Sequence, residues 1–101
     1  MQPDLEAIRR AVDASYPSYL SDLEATVNMD CGTYLPEGVN QVADLMEDRF
    51  QSSGWTVERR RHAGEGSPEP LGDVVVALLE GGTPGGPRIL LIGHMDTVFP
   101  A

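Results

Sequence analysis

The fold is decided by the stretch at residues 88–100, RILLIGHMDTVFP. Its aliphatic run at residues 89–92 predicts a β-strand that is buried on both faces. The strand ends at Gly93 and brings His94 and Asp96 to its carboxyl end. Because open α/β sheets bind their ligands at the carboxyl ends of their strands, we expect a functional site here.

The spacing of His94 and Asp96 suits a metal ligand and its partner. Neutral imidazole is the commonest nitrogen ligand of zinc, and residues two apart in an extended segment point to the same side. A carboxylate that accepts the second ring N–H fixes the tautomer and raises the basicity of the ligating nitrogen. Two alternatives stay open at this point. Asp96 could bind metal itself, or the pair could be a structural contact at a strand end.

The neighbouring residues resemble the first metal motif of the zinc-dependent aminoacylase/carboxypeptidase family. The motif spans residues 91–99, LIGHMDTVF, and is most similar to glutamate carboxypeptidase-like members. Upstream, residues 27–34, VNMDCGTY, and 37–39, EGV, resemble the same subgroup, with Cys31 where Ser is usual. The resemblance extends from about residue 16 to residue 99.

This resemblance implies roles for both residues of the pair. His94 corresponds to a zinc ligand, and Asp96 to the acidic residue that orients this ligand and is counted among the catalytic residues. Family members hold two Zn²⁺ ions per complete site, with Co²⁺ or Mn²⁺ as alternatives. Because their other ligands and general base follow this motif, we expect the N-terminal portion of a zinc-exopeptidase catalytic domain, inactive on its own.

The resemblance also implies a substrate class and a reaction. We expect cleavage of an amide bond next to a free carboxylate, in a small peptide or an N-acyl amino acid. It allows a homodimer of the longer protein. The competing hypothesis is a non-catalytic fragment or pseudoenzyme module with only a packing role, because catalytic zinc normally has three protein ligands and this chain offers one.

Composition narrows the class of protein. The 101 residues are enough for one small domain at residues 1–101, and the 41% hydrophobic content includes no run of transmembrane length. The N-terminal residues show no basic region followed by an apolar stretch, so no secretory signal is visible and we expect a soluble cytoplasmic chain. The net charge of −9 argues against binding to nucleic acids or anionic membranes, and the absence of lysine excludes Schiff-base chemistry.

Two further reactive residues receive structural interpretations. Cys31 is the single cysteine, so it cannot form an internal disulfide. It lies outside any protease signature, and we expect a small residue in place of Ser. We expect His62 to be solvated.

Apolar periodicity predicts the helices. A first helix covers residues 3–14, Pro17 interrupts it, and a second stripe follows at Leu20, Leu23 and Val27. After a loop at residues 30–36, the clearest helix covers residues 37–52 and stops before Gly54. We expect these stripes to form the core.

The strands complete an α/β fold in which helices pack on a mixed β-sheet. A half-buried strand is predicted at residues 55–59, a loop at 62–71, and an inner strand at 73–79. The Gly- and Pro-rich residues 81–87 predict a hairpin connection to a second inner strand at 88–93. Without further partners, that strand would expose an adhesive edge, so we expect marginal stability or self-association.

Overall fold

The computed structural model describes residues 3–62 and 69–99, so most of the predicted loop at 62–71 lies outside the described residues. The fold class is α/β, as the sequence predicts. Its elements are, in order, α1 (Leu5–Val27), α2 (Pro36–Ser52), β1 (Thr56–Arg60) and β2 (Val74–Leu78). Within the described part of the chain, neither helix combines the length and apolarity needed to cross a membrane.

Helix α2 supplies most of the core, as its apolar stripe predicts. Pro36 occupies the first turn, where a missing N–H costs no hydrogen bond, and Gly54 follows the helix with φ of +87°. Its buried side chains are those of Val39, Val42 and Ala43. They pack with Cys31 from the preceding loop and with the half-buried Met29, Met46 and Met95. Met95 therefore anchors the segment that contains the His94 motif.

Strands β1 and β2 pair in antiparallel register, with Val57 opposite Ala77 and Arg59 opposite Val75. These four residues are half-buried, and both strands contact α2. The connection between the paired strands is the segment 61–73. The prediction that residues 81–87 form a hairpin connection is wrong because residues 88–93, its predicted second strand, form no strand. A turn nevertheless closes there through a 3.0 Å hydrogen bond from Gly86 N to Thr83 O.

Arg59 links the hairpin formed by β1 and β2 to helix α2 through ion pairs. Its Nη1 lies 2.8 Å from Asp44 Oδ1 and 3.0 Å from Glu47 Oε2, and its Nη2 lies 2.9 Å from Asp73 Oδ2. These hydrogen bonds, led by that of Asp44, raise the pKa of Arg59 above its usual value against the opposing effect of burial. The Arg59 side chain is only 20% exposed, so solvent screens its ion pairs less than it screens a fully exposed surface pair.

Helix α1 corrects two predictions. It runs continuously from Leu5 to Val27 with Pro17 inside, so the proline does not interrupt it. The carbonyl that Pro17 leaves without an N–H partner is that of Asp13, and this stretch is exposed, so water can satisfy it. The helix also buries none of its side chains, so its stripe is not core within the described residues. A bidentate pair between Arg49 and Asp22, at 2.7 Å, links it to α2.

The second inner strand is also absent. Residues 88–93 form no strand, and the side chains from Ile89 to Ile92 are 81–87% exposed. A strand requires a hydrogen-bonding neighbour, and no described segment pairs with these residues. The outer residues of β2, Val74, Val76 and Leu78, are likewise exposed. The predicted unpaired strand edge is therefore not formed, but the apolar side chains of this segment are exposed, and self-association stays a prediction.

Candidate metal-binding site

His94 and Asp96 lie in direct contact. The imidazole Nδ1 is 3.3 Å from Asp96 Oδ1 and 2.9 Å from the backbone carbonyl oxygen of Asp96. The imidazole is 82% exposed, whereas the carboxylate is 35% exposed. Asp96 thus lies partly buried at the protein surface, and the imidazole of His94 projects into solvent.

This geometry selects one tautomer of His94. Both neighbours of Nδ1 are oxygen acceptors, so Nδ1 carries the hydrogen and donates it. The lone pair then lies on Nε2, on the far side of the ring from Asp96. An exposed imidazole with its lone pair on Nε2 is the form that coordinates a metal ion.

The His94 motif is joined to the upstream motif by backbone pairing. An isolated parallel bridge links Gly32 to Thr97. Thr97 N donates to Cys31 O at 2.9 Å, and Thr33 N donates to Thr97 O at 3.1 Å. The two stretches that resemble one enzyme subgroup in sequence are therefore adjacent in space.

Thr33 adds a side-chain contact to this pairing. Its hydroxyl donates to Asp96 Oδ2 at 2.6 Å, a short, charge-assisted hydrogen bond. That hydrogen bond is the main reason why the pKa of Asp96 is lowered, while burial acts to raise the pKa. Hydrogen bonds from its own backbone and from His94 lower the pKa further. Asp96 is therefore an ionised acceptor at neutral pH.

Two glycines allow the upstream loop to approach this site. A Cβ at Gly38 would collide with the carbonyl oxygen of Asp30, so the loop lies directly against the backbone of α2. A Cβ at Gly32 would lie 2.6 Å from the carbonyl oxygen of Phe99. Side chains at either position would push the loop away from α2 or from the His94 segment.

The described residues fit one ligand of a metal site but not a complete one. Within residues 3–62 and 69–99, no group of three or more His, Cys, Asp or Glu residues is placed to hold a metal ion. Cys31 lies in the apolar core, which agrees with its interpretation as a small structural residue. His62 is half-buried rather than fully solvated.

Sequence reasoning named the pair His94 and Asp96 but gave no role to Thr33. Thr33 lies 63 positions from Asp96, and no local spacing rule connects residues that far apart. The available signal was its place in the upstream stretch that resembles the same subgroup as the His94 motif.

Comparison with known proteins adds one relative. Over 90 residues the chain is 33% identical to carboxypeptidase G2 of Pseudomonas sp. (strain RS-16). The aligned region covers 89% of this chain and 20% of that protein. The chain thus spans about a fifth of the relative's length. No family model matches the chain. No solved structure matches it significantly. The similarity supports a carboxypeptidase-like relationship without selecting a particular member.

Proposed function

We propose that this chain contributes a metal ligand and its orienting acid to a metal-dependent hydrolase of the carboxypeptidase/aminoacylase type. The observation that supports this most is the His94–Asp96 pair, in which the carboxylate meets Nδ1 and leaves Nε2 on an exposed ring. The partial identity with a carboxypeptidase supports the hydrolase class. The activity of a whole protein built on this segment is part of the proposal.

Each residue has a defined task in this proposal. His94 would hold the ion through Nε2, and Asp96 would keep the hydrogen on Nδ1 and fix the plane of the ring. When bound, a divalent ion such as Zn²⁺, Co²⁺ or Mn²⁺ lowers the pKa of a water ligand and polarises a carbonyl group. The described residues offer no further ligand cluster, so the remaining ligands and the general base would come from other parts of the protein.

The substrate class follows from the proposed relationship. We propose that a small peptide or an N-acyl amino acid is cleaved at the amide bond next to its free carboxylate. The resemblance of the motif to glutamate carboxypeptidase-like members favours a substrate with a C-terminal glutamate or a similar acidic residue. The homodimer and the zinc identity of the metal belong to the same proposal.

The test compares two histidine variants in the longest natural polypeptide that contains residues 1–101. Hydrolysis of N-acyl glutamate is measured with Zn²⁺ present, together with bound metal and circular dichroism. We expect His94→Ala to lower kcat/KM about 100-fold or more and to reduce bound metal, because a direct ligand contributes at least as much as its hydrogen-bond partner. His62→Ala is the matched control and keeps its activity. Full activity in a folded His94→Ala protein would refute the proposal.

A second candidate is a non-catalytic role in which the chain only packs against another surface. The observation that favours it is the extent of exposed apolar side chains on α1 and at residues 89–92. In that case the parent polypeptide would show no metal-dependent hydrolysis, and His94→Ala would change neither bound metal nor association. The same pair of variants therefore separates the two candidates.

A further inference from the structure

We propose that Thr33 is a positioning residue of this site: its hydroxyl holds one oxygen of Asp96, so that the other oxygen faces the imidazole of His94. This inference rests on the proposed function for its biological meaning, because it assigns a further residue to the same site. The geometric part of it concerns this chain's own side chains and is testable without metal.

The two carboxylate oxygens of Asp96 have separate partners. Oδ2 accepts the Thr33 hydroxyl at 2.6 Å, and Oδ1 lies 3.3 Å from His94 Nδ1. The shorter contact is the stronger one, so Thr33 sets the rotation of the carboxylate and His94 meets the oxygen that remains. Without the Thr33 contact, a carboxylate that is 35% exposed would rotate and exchange its hydrogen-bond partners with water.

The backbone fixes Thr33 in this position independently of its hydroxyl. Thr33 N donates to Thr97 O, and Thr97 N donates to Cys31 O, so the loop is in register with the residue that follows Asp96. These bonds use main-chain atoms alone. Replacing the side chain with an isosteric apolar one therefore removes the hold on Asp96 and keeps the loop paired.

A competing acceptor for the hydroxyl is weaker. Thr33 Oγ1 also lies 3.3 Å from Thr97 O, but a hydroxyl has one hydrogen to donate. The charged acceptor at 2.6 Å takes it in preference to a neutral carbonyl at the limit of hydrogen-bonding distance. The role of the hydroxyl is thus directed at the carboxylate and not at the bridge.

The experiment measures the tautomer of His94 by ¹⁵N NMR of the imidazole, in a His62→Gln background that leaves one histidine. Thr33→Val removes the hydroxyl and keeps the shape, and Thr33→Ser keeps the hydroxyl. Thr26→Val is the matched control, because the Thr26 hydroxyl bonds to backbone oxygens of α1, at Asp22 and Leu23. Melting temperature is recorded for every variant.

We expect the unsubstituted, Thr33→Ser and Thr26→Val proteins to show the Nδ1–H tautomer at neutral pH. Thr33→Val should show a measurably smaller fraction of this tautomer, because only the backbone carbonyl oxygen of Asp96, 2.9 Å from Nδ1, still accepts its hydrogen. In the longest natural polypeptide that contains this chain, Thr33→Val should also weaken Zn²⁺ binding about threefold to tenfold, at or below the range for direct partners of ligating histidines. A Thr33→Val protein that melts normally and keeps the full Nδ1–H tautomer would overturn the inference.

Two features keep the result decisive. If Thr33→Val does not fold, the hydroxyl proton of Thr33 in the unsubstituted protein gives the answer. A slowly exchanging resonance near Asp96 supports the inference, and a rapidly exchanging one overturns it. A reduced Nδ1–H fraction in Thr33→Val together with absent metal binding in every protein would refute the proposed function alone, so the two failures are distinguishable.

Discussion

Replacement of Gly38 by Ala tests whether close contact between α2 and the upstream loop positions the site. A Cβ at Gly38 would overlap the carbonyl oxygen of Asp30 and lie 3.2 Å from Cys31 Cα. Both neighbours are backbone atoms, so no flexible side chain can rotate away. The loop that leads to Thr33 must move as a unit, away from the residues with which it pairs.

The magnitude follows from two opposing effects. Alanine is favoured over glycine in a helix by about 1 kcal/mol. Inserting a methyl group into a close-packed contact costs about 1–3 kcal/mol, and a collision with backbone belongs at the upper end, about 3 kcal/mol. We therefore expect Gly38→Ala to lower the free energy of unfolding by about 2 kcal/mol, roughly a thirtyfold change in the folding equilibrium.

The assay is urea unfolding, followed by circular dichroism and by fluorescence of Trp55, which packs against Phe50 at a centroid distance of 5.1 Å. Gly82→Ala is the matched control, because a Cβ there meets no atom within 4 Å. We expect that control to be neutral or stabilised by up to about 1 kcal/mol through the unfolded chain. Equal unfolding free energies for the two variants would refute the reasoning.

Three further outcomes are expected. Hydrogen bonding from Arg49 lowers the pKa of Asp22, so the stability that this contact contributes is present above the ordinary pKa of 3.8 and is lost as the pH falls through the lowered pKa. Arg49→Gln should therefore flatten the acid limb of the stability–pH curve, and an unchanged limb would contradict this. Asp73→Asn should cost about 1–2 kcal/mol in urea unfolding, because the carboxylate that contacts Arg59 is only 18% exposed; an unchanged midpoint would contradict this. Light scattering should show a mass that rises with concentration, because residues 89–92 are exposed, and a compact monomer at all concentrations would reject the prediction.

Local signals in the sequence predicted the elements well. The apolar stripe of α2 and Gly54 after its end gave a helix at residues 37–52, and the structure has Pro36–Ser52. Alternation at residues 55–59 gave β1 within one residue. Such predictions succeed because capping, periodicity and backbone conformation act over a few neighbouring residues.

Long-range contacts were not predictable in the same way. An aliphatic run at residues 89–92 shows that the segment can be buried but not which segment would pair with it. The rule that proline breaks a helix failed at Pro17, because exposure to water relieves the lost hydrogen bond. The strand pairing of the described residues depends instead on where α2 and the hairpin meet, around Arg59.

The site shows the same division. The contact between His94 and Asp96 follows from their i, i+2 spacing in an extended segment, and the sequence predicts it. The contribution of Thr33 depends on the loop before α2 reaching residue 97, which in turn depends on Gly38 having no side chain. The spacing of residues along this one sequence does not show that the loop before α2 lies next to residue 97.

A zinc titration of this chain, followed by ¹⁵N NMR of its two imidazoles, tests the central claim most directly. The account predicts weak binding that perturbs Nε2 of His94, while Nδ1 keeps its hydrogen and His62 stays unchanged. A titration that leaves His94 unperturbed, or that displaces the hydrogen from its Nδ1, would contradict the account.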